Sequence, residues 1–272
     1  MKKPLNHLLF FIAVLSVATV SCRKDREDID TTLGYEVGQF ESMTNDVDNM
    51  VGQVRQGDGS ISQRTGSGSG YLNGGGCAIV THDTANQHIT IDFGTGCAGA
   101  DGRVRAGIIN ISYTGDYFTP GSTHTVTFDS FYVDTRHIEG NRTVTNAGFN
   151  NDSNMVWNIN AVNMRITRTD GYWMSWNSTR TREMISGFGD LVWLNDVYKI
   201  NGTANGSNSN GNTFTMSISN VIRDNSCHWL TSGTMVINPA NQLARTVDFG
   251  NGNCDDQATV TVGNQSRTIT LR

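Results

Sequence analysis

Two periodicities divide the chain. From Leu33 to Val54 apolar residues recur every three or four positions, which is the spacing of an amphipathic α-helix. From residue 77 onward apolar and polar residues alternate in runs bounded by glycine, asparagine and aspartate, which is typical of β-strands. The sequence therefore predicts one helix over about residues 33–55, a glycine-rich linker at 57–76, and an antiparallel sheet over 77–272.

Turn signals between the alternating runs indicate how the strands connect. Asp170-Gly171 and Asn210-Gly211 have the composition of tight hairpin turns, and Asn146-Ala147-Gly148 also reads as a turn. Consecutive hairpins give an up-and-down antiparallel meander. Several runs exceed the usual strand length of about five or six residues. We therefore predict an all-β fold whose large sheet is strongly curled or forms a sandwich, with the helix covering an open face or end.

Glycine interrupts several of the predicted strands at similar places. A glycine followed by an alternating run occurs at Gly107, Gly140, Gly202 and Gly233. Glycine inside a strand often marks a bulge or a bend. The recurrence predicts bulges or bends in one strongly curved sheet whose strands cross a shared corner.

Two Asp-Phe-Gly segments begin at Asp92 and Asp248, each at the end of a β-type run and each followed by a cysteine. A kinase assignment requires a catalytic loop, a glycine-rich loop and a lysine strand, and the sequence contains none of them. We interpret each segment as a tight turn in which Phe enters the core, Gly takes positive φ and Asp caps the turn. Calcium binding would need an Asp-x-Asp-x-Asp-Gly spacing, which is also missing, so no metal site is predicted.

The N-terminal segment has the organisation of a secretory signal. Lys2 and Lys3 precede an apolar run from Leu8 to Val20, which is too short to span a bilayer of about 30 Å. Thr19-Val20-Ser21-Cys22 resembles a relaxed lipobox. We predict a signal peptide over residues 1–21, acylation of Cys22 and attachment to the membrane through that lipid.

A charged tether over residues 22–32 separates this segment from a single ectodomain over 33–272. Lys24-Asp25 followed by Glu27 and Asp28 resembles the export signal of lipoproteins displayed on the surface of Bacteroidota. The predicted location is the outer membrane, with the ectodomain exposed at the cell surface. Periplasmic retention is the alternative, because a solvated tether would have the same composition.

Charge and cysteine content fit this location. Removing residues 1–21 leaves 18 basic and 25 acidic residues, a formal net charge of −7, which argues against a nucleic-acid partner. Apart from Cys22 there are four cysteines, an even number that indicates disulfides in an oxidising compartment. Of the three possible connectivities we favour Cys77–Cys97 and Cys227–Cys254, because each pair closes a local loop.

One predicted hairpin has the composition of a ligand-binding surface. Aromatic rings beside guanidinium groups can stack on sugars or hold an acidic glycan. The alternative is that the tryptophans pack in the core and the arginine stems cover them while pairing with Glu183 or Asp170. The candidate residues are Tyr172, Trp173, Trp176, Arg180 and Arg182.

Catalytic signals are scarce. The six histidines are scattered, and neither a Gly-x-Ser-x-Gly elbow nor a His-Glu-x-x-His helix occurs. No catalytic residue and no cofactor is predicted. An acid pair for glycoside cleavage remains an alternative, because such residues can lie far apart along a chain.

Five segments lie between Cys77 and the C-terminus at residues 92–97, 101–103, 139–146, 178–183 and 232–234. These segments resemble those of a group of uncharacterised lipoproteins from Bacteroidota. The resemblance implies a shared β-rich ectodomain and surface location, and it carries over no activity or site. The predicted function is a lipid-anchored envelope protein with a non-catalytic structural or binding ectodomain that contacts glycan or protein; the alternative is an extracytoplasmic hydrolase of polysaccharide or peptide.

Overall fold

A computed structural model describes residues 31–56, 77–99, 101–190 and 192–271. The predicted signal peptide, Cys22, almost all of the tether and the linker at 57–76 lie outside these residues. The described chain forms one α-helix, α1 (Thr32–Gln56). Among the described residues no helix is long and apolar enough to cross a bilayer. The strands are β1 (Ile79–Asp83), β2 (His88–Asp92), β3 (Cys97–Ala98), β4 (Val104–Tyr113), β5 (Thr123–Val133), β6 (Arg136–Phe149), β7 (Met155–Thr167), β8 (Trp173–Ser186), β9 (Val197–Asn208), β10 (Thr213–Asp224), β11 (Leu230–Pro239), β12 (Arg245–Asn251), β13 (Gln257–Val262) and β14 (Gln265–Thr270).

The strands form a single antiparallel sheet in which spatial order follows chain order, so the predicted meander is confirmed. Only β3 departs from this order, because it pairs with β4 alone. The hairpin turns at Asp170-Gly171 and Asn210-Gly211 join β7 to β8 and β9 to β10, as predicted. Within the described residues β1 and β14 do not pair with each other, yet Arg103 Nη2 donates to the carbonyl oxygen of Leu271 at 3.2 Å.

The predicted turn at residues 146–148 is wrong. Strand β6 continues to Phe149, and its register against β7 shifts between Asn146 and Gly148. The side chain of Asn146 is buried, accepts a hydrogen bond from Gly148 N at 2.8 Å and donates to Tyr117 O at 3.0 Å. Asparagine and glycine here form a bulge inside a long strand, which has the same local composition as a turn.

The predicted bulges at the strand glycines are confirmed. The strand register shifts next to each of the four glycines. At Gly233 on β11, for example, the shift lies between Ser219 and Ile222 of the neighbouring strand β10. Gly233 has φ of +94°, and a Cβ there would collide with the carbonyl oxygen of Asn220, which itself has φ of +51°. These positions need glycine because the neighbouring backbone approaches closely and φ is positive.

The helix differs from the predicted amphipathic cover. Its apolar stripe packs on the sheet, but its polar side chains are buried as well, including Glu41, Asp46 and Asp48. Close packing also occurs at Gly34, where a Cβ would lie 2.8 Å from Val260 on β13. A helix side exposed to water was expected because charged residues rarely enter a core without partners. The sheet supplies those partners.

Four alternate strands each direct an arginine toward α1. Arg105 on β4 pairs with Asp46 and also with Asp101 at 2.7 Å. Arg142 on β6 contacts Asp48, and Arg180 on β8 contacts Glu41. On β10, Arg223 contacts the side-chain amide of Asn49 at 2.5 and 2.6 Å, and it donates to this amide when the amide oxygen is assigned to the side facing the guanidinium. Buried charges are tolerated when each is paired in this way.

Both disulfides join the pairs predicted from the sequence. Cys77–Cys97 and Cys227–Cys254 have Cα–Cα distances of 5.6 Å. The Asp-Phe-Gly turns also form as predicted: Asp92 Oδ1 accepts from Gly94 N at 2.7 Å, and Asp248 Oδ1 accepts from Gly250 N at 2.9 Å. The phenylalanine of each turn is buried and both glycines have positive φ.

Candidate ligand-binding site

A cavity of about 300 Å³ lies where α1 begins, between the β7–β8, β9–β10 and β11–β12 turns. This size is at the lower end of the range of small-ligand pockets. Glu36, one turn into the helix, reaches the cavity from the interior, while the strand turns supply the rest. We call it the helix-end cavity; its lining is Thr32, Leu33, Glu36, Arg168, Asp170, Tyr172, Asn208, Asn210, Asn212, Thr213, Phe214, Pro239 and Gln242.

Arg168 links the two carboxylates of the cavity. Its Nη1 donates to Glu36 Oε1 at 2.7 Å and its Nη2 to Asp170 Oδ2 at 2.6 Å. The Glu36 side chain is only 5% exposed, and no described group donates to its Oε2. A buried carboxylate oxygen without a donor is costly, because charged groups need hydrogen bonds when they leave water. Glu36 Oε2 is therefore a buried acceptor, without a donor among the described residues, in a side chain that lines the cavity.

An aromatic ring and several amides surround this carboxylate. The guanidinium carbon of Arg168 lies 5.5 Å from the centre of the Tyr172 ring, and Asn208 Nδ2 donates to Tyr172 Oη at 3.2 Å. Asn208 Oδ1 accepts from the backbone N of Asn210 and of Asn212, both at 3.1 Å. These bonds order the β9–β10 turn, so that the cavity presents a ring face, amide groups and a carboxylate together.

The five sequence candidates are divided between the surface and the interior. Arg180 is buried and Nη2 donates to Glu41 Oε2 at 2.9 Å. Trp176 is 7% exposed and its ring stacks on Phe40 of α1 at 6.1 Å between centres. Both residues hold the helix against the sheet, and neither lines the helix-end cavity.

Arg182 is enclosed by aromatic rings. Its guanidinium carbon lies 4.4 Å from the centre of the Tyr198 ring and 5.6 Å from that of Trp157, and Nη2 donates to Tyr117 Oη. Burial by itself would lower the pKa of Arg182, but the neighbouring Tyr117 and Tyr198, together with Asp48 and Asp196, more than offset it and the pKa is raised. Arg182 is thus a structural cation of a second, smaller core cluster.

Tyr172 and Trp173 are the two candidates near solvent. Tyr172 lines the helix-end cavity, whereas Trp173 is half-buried beside Arg165, whose guanidinium carbon is 4.6 Å from the ring centre. Glu183, one of the two acids expected to pair with the hairpin arginines, instead binds Lys199 at 2.7 Å. This contact, together with hydrogen bonds from Asn154 and Asn150, lowers the pKa of Glu183 to about 2. Asp170 pairs with Arg168.

Sequence reasoning missed Glu36 and Asn208. Glu36 is not one of the apolar positions that predict the helix, and nothing in a linear pattern indicates that a sheet covers its polar side. The run of asparagines from Asn205 to Asn212 was the available signal, but asparagine is also the ordinary residue of hairpin turns.

Apolar side chains are exposed at the opposite end of the helix. Arg55, in the last turn of α1, donates to Gly115 O in the β4–β5 loop, and Phe118 of that loop contacts Phe188 at 5.8 Å between ring centres. Phe188 also contacts Phe149 at 5.1 Å, and Phe149 is 55% exposed. The two ends of the ectodomain are therefore chemically different, one polar with a cavity and one apolar.

Within the described residues no group of three or more His, Cys, Asp or Glu side chains is arranged to hold a metal ion. The lining of the helix-end cavity, as described, consists of acidic, basic, amide, hydroxyl and apolar side chains without histidine, cysteine or serine. No protein-family model, curated protein or solved structure matches this chain.

Proposed function

We propose that this protein is a lipid-anchored envelope protein whose ectodomain binds a glycan in the helix-end cavity without cleaving it. The observation that carries the proposal is a cavity in which the Tyr172 ring lies beside Arg168 and the two carboxylates that it binds, Glu36 and Asp170. A carboxylate oxygen accepts from sugar hydroxyls, amides both donate and accept, and a ring face packs against the C–H face of a sugar. These are the groups that a glycan requires.

The lipid anchor is part of the same proposal. Cys22, acylated after removal of residues 1–21, would attach the chain to the outer membrane, with the ectodomain at the cell surface. Nine peptide steps separate Cys22 from Thr31, so the start of α1 lies within about 30 Å of the lipid-bearing residue. The helix-end cavity would then face ligands close to the membrane. Cys22→Ser should move the protein from the membrane to the soluble fraction, and a membrane-impermeant reagent should label the ectodomain on intact cells.

Retention of Cys22→Ser in the membrane would argue against acylation at this residue. Protection of the ectodomain from the reagent on intact cells, with labelling after lysis, would place it on the periplasmic face instead.

We also propose that the sheet curls around α1. Asp46 and Asp48 project about 200° apart on a helix of 3.6 residues per turn, yet each pairs with an arginine of the same sheet. Thirteen neighbouring strands at about 4.8 Å have a width of about 60 Å, close to the circumference of a circle about 10 Å from the helix axis. Spin labels at Thr81→Cys on β1 and Thr268→Cys on β14 should be well under 40 Å apart. A separation near 60 Å would indicate a flat sheet.

Glycan binding can be tested with the full-length protein extracted in detergent and applied to a glycan array. Tyr172→Ala should weaken binding about tenfold, which is the effect of losing one aromatic stacking contact. Tyr172→Phe, which keeps the ring, should bind nearly as well as the wild type. The matched control is Tyr132→Ala, because Tyr132 is a 39% exposed tyrosine outside the cavity. Absence of any bound glycan, or unchanged binding by Tyr172→Ala, would refute the proposal.

Hydrolysis is the second candidate, because Glu36 and Asp170 both line the helix-end cavity. Both carboxylates contact Arg168, an arrangement that orders the cavity and suits binding. Incubation with a bound polysaccharide should produce no new reducing ends. If reducing ends do appear, and are lost in both Glu36→Gln and Asp170→Asn, the protein is a hydrolase and the non-catalytic assignment is wrong.

A further inference from the structure

A second depression lies on the face of the sheet that points away from α1. It crosses β8, β9, β10 and β11 and has a volume of about 560 Å³. We call it the outer groove; its lining is Ser175, Trp176, Asn177, Asn205, Gly206, Ser207, Thr213, Phe214, Thr215, Asn238 and Ala240. Trp176 and Phe214 belong to the buried core below the groove, so the groups available to a ligand are hydroxyls and amides.

The strand register arranges these groups in two rows. Asn177, Asn205, Thr215 and Asn238 lie opposite one another on the four successive strands. Strand spacing makes this row about 14 Å long. The second row, two residues along each strand, consists of Ser175, Ser207 and Thr213. A row of this length fits a short chain of sugars better than a single ring.

The position of the groove restricts what can bind there. Each of the four strands pairs with a neighbour on both sides, so their backbone groups are already used and a peptide cannot add to the sheet at this place. Among the described residues the side chains of Asn205, Thr215 and Asn238 make no hydrogen bond within the protein, and no residue of the lining carries a charge. Uncharged groups that both donate and accept match the hydroxyls of a neutral sugar.

The outer groove adjoins the helix-end cavity. Thr213 and Phe214 line both, at the point where β10 begins. Trp173, which is half-buried, occupies the outward-facing position of β8 two residues before Ser175. An aromatic ring therefore stands near the end of the groove, where a sugar ring could pack on it.

We propose that the outer groove and the helix-end cavity form one extended site for an uncharged oligosaccharide. The cavity holds one end of the chain through Glu36 and Tyr172, and the following sugars lie across the row from Asn205 to Asn238. This inference rests on the proposed glycan binding and adds to it the charge class and the length of the ligand.

Titration calorimetry with oligosaccharide ladders tests the inference. The probes are malto-, xylo- and manno-oligosaccharides from monomer to hexamer, with oligogalacturonides as the acidic ladder. For at least one neutral ladder the full-length protein should bind the hexamer about tenfold more tightly than the dimer, as expected for one or two additional hydrogen bonds. The double variant Asn205→Ala with Asn238→Ala should lose this gain and bind the dimer unchanged.

The control for the groove variant is Asn158→Ala with Asn160→Ala, because both residues are exposed on the outward face of β7 outside the groove. It should bind every ladder like the wild type. Tyr172→Ala should weaken binding at all lengths, so the two variants report on different parts of the site.

Each result has one interpretation. Neutral ligands bound without any gain in affinity with length, but weakened by Tyr172→Ala, would exclude the groove and leave the cavity function intact. Tighter binding of the acidic ladder would overturn the uncharged ligand class. If no ladder binds, both the inference and the glycan function for these sugars are wrong.

Discussion

Removal of the Asp48 carboxylate from α1 should destabilise the fold more than removal of the Asp46 carboxylate two residues away. Asp48 contacts Arg142 at 2.5 Å, with both side chains at least 94% buried, and it is the only anion that pairs with Arg142 in the described residues. Asp46 pairs with Arg105, but Arg105 also contacts Asp101 at 2.7 and 3.1 Å. Removing the Asp48 carboxylate therefore leaves Arg142 without an anionic partner, whereas removing the Asp46 carboxylate leaves Arg105 paired with Asp101.

The magnitudes follow from what remains buried. Asp48→Ala leaves Arg142 charged and unpaired, which costs about 3–5 kcal/mol of unfolding free energy. Its loss also affects Arg180, whose pKa is lowered chiefly by burial and raised in part by Asp48. Asp46→Ala removes hydrogen bonds to a cation that keeps Asp101, so we expect about 1.5–3 kcal/mol.

Urea unfolding of the full-length protein measures this difference, since Trp157 and Trp176 are buried and their fluorescence changes on exposure. Asp152→Ala in the exposed β6–β7 turn is the control and should change stability by less than about 0.5 kcal/mol. Asp48→Leu with Arg142→Met should recover most of the loss, because an apolar pair leaves no buried charge. Equal effects of Asp48→Ala and Asp46→Ala would refute the reasoning.

Three further outcomes follow from the structure. Gly233→Ala should cost at least about 2 kcal/mol more than Gly211→Ala, because both have positive φ but only Gly233 meets a neighbouring strand; equal urea midpoints would contradict this. Burial and the charge of Arg55 lower the pKa of His124 from 6.5 to about 4, so the unfolded chain takes up the proton first and stability falls as pH decreases from 6.5 to 4, by up to about 3 kcal/mol. In His124→Phe this part of the pH dependence of stability should disappear, and its persistence would assign it to other groups. Removing the Cys227–Cys254 disulfide by serine substitution should cost about 3.5 kcal/mol for its 27-residue separation, measured by thermal unfolding against the oxidised wild type.

Local sequence patterns predicted much of the architecture. The periods of 3.6 and 2 located α1 and most strands, since both depend on neighbouring residues. The turn at Asp170-Gly171 and the bulge at Gly233 were predictable for the same reason, because glycine at a given φ is a local requirement. The failure at Asn146 has the same origin, since a turn and a bulge share their local composition.

The candidate site was only partly predictable. The Tyr172–Arg182 hairpin was identified from its composition, but alternation along β8 does not say which of its faces meets the helix. The structure puts Trp176, Arg180 and Arg182 against the core and leaves Tyr172 at the helix-end cavity. The cavity could not be predicted because its residues are far apart along the chain: Glu36 and Arg168, which meet at 2.7 Å, are separated by 132 residues.

The sequence by itself determined the helix, the antiparallel meander, the disulfide pairs and the capped Asp-Phe-Gly turns, because each depends on periodicity, spacing or backbone conformation within a short segment. Only the tertiary structure decided that the polar side of α1 is buried. Arginines from alternate strands meet that side, and a buried charge is stable only where a partner from a distant segment pairs with it. The same long-range packing brings Glu36 of α1 to Arg168 and so forms the proposed ligand site.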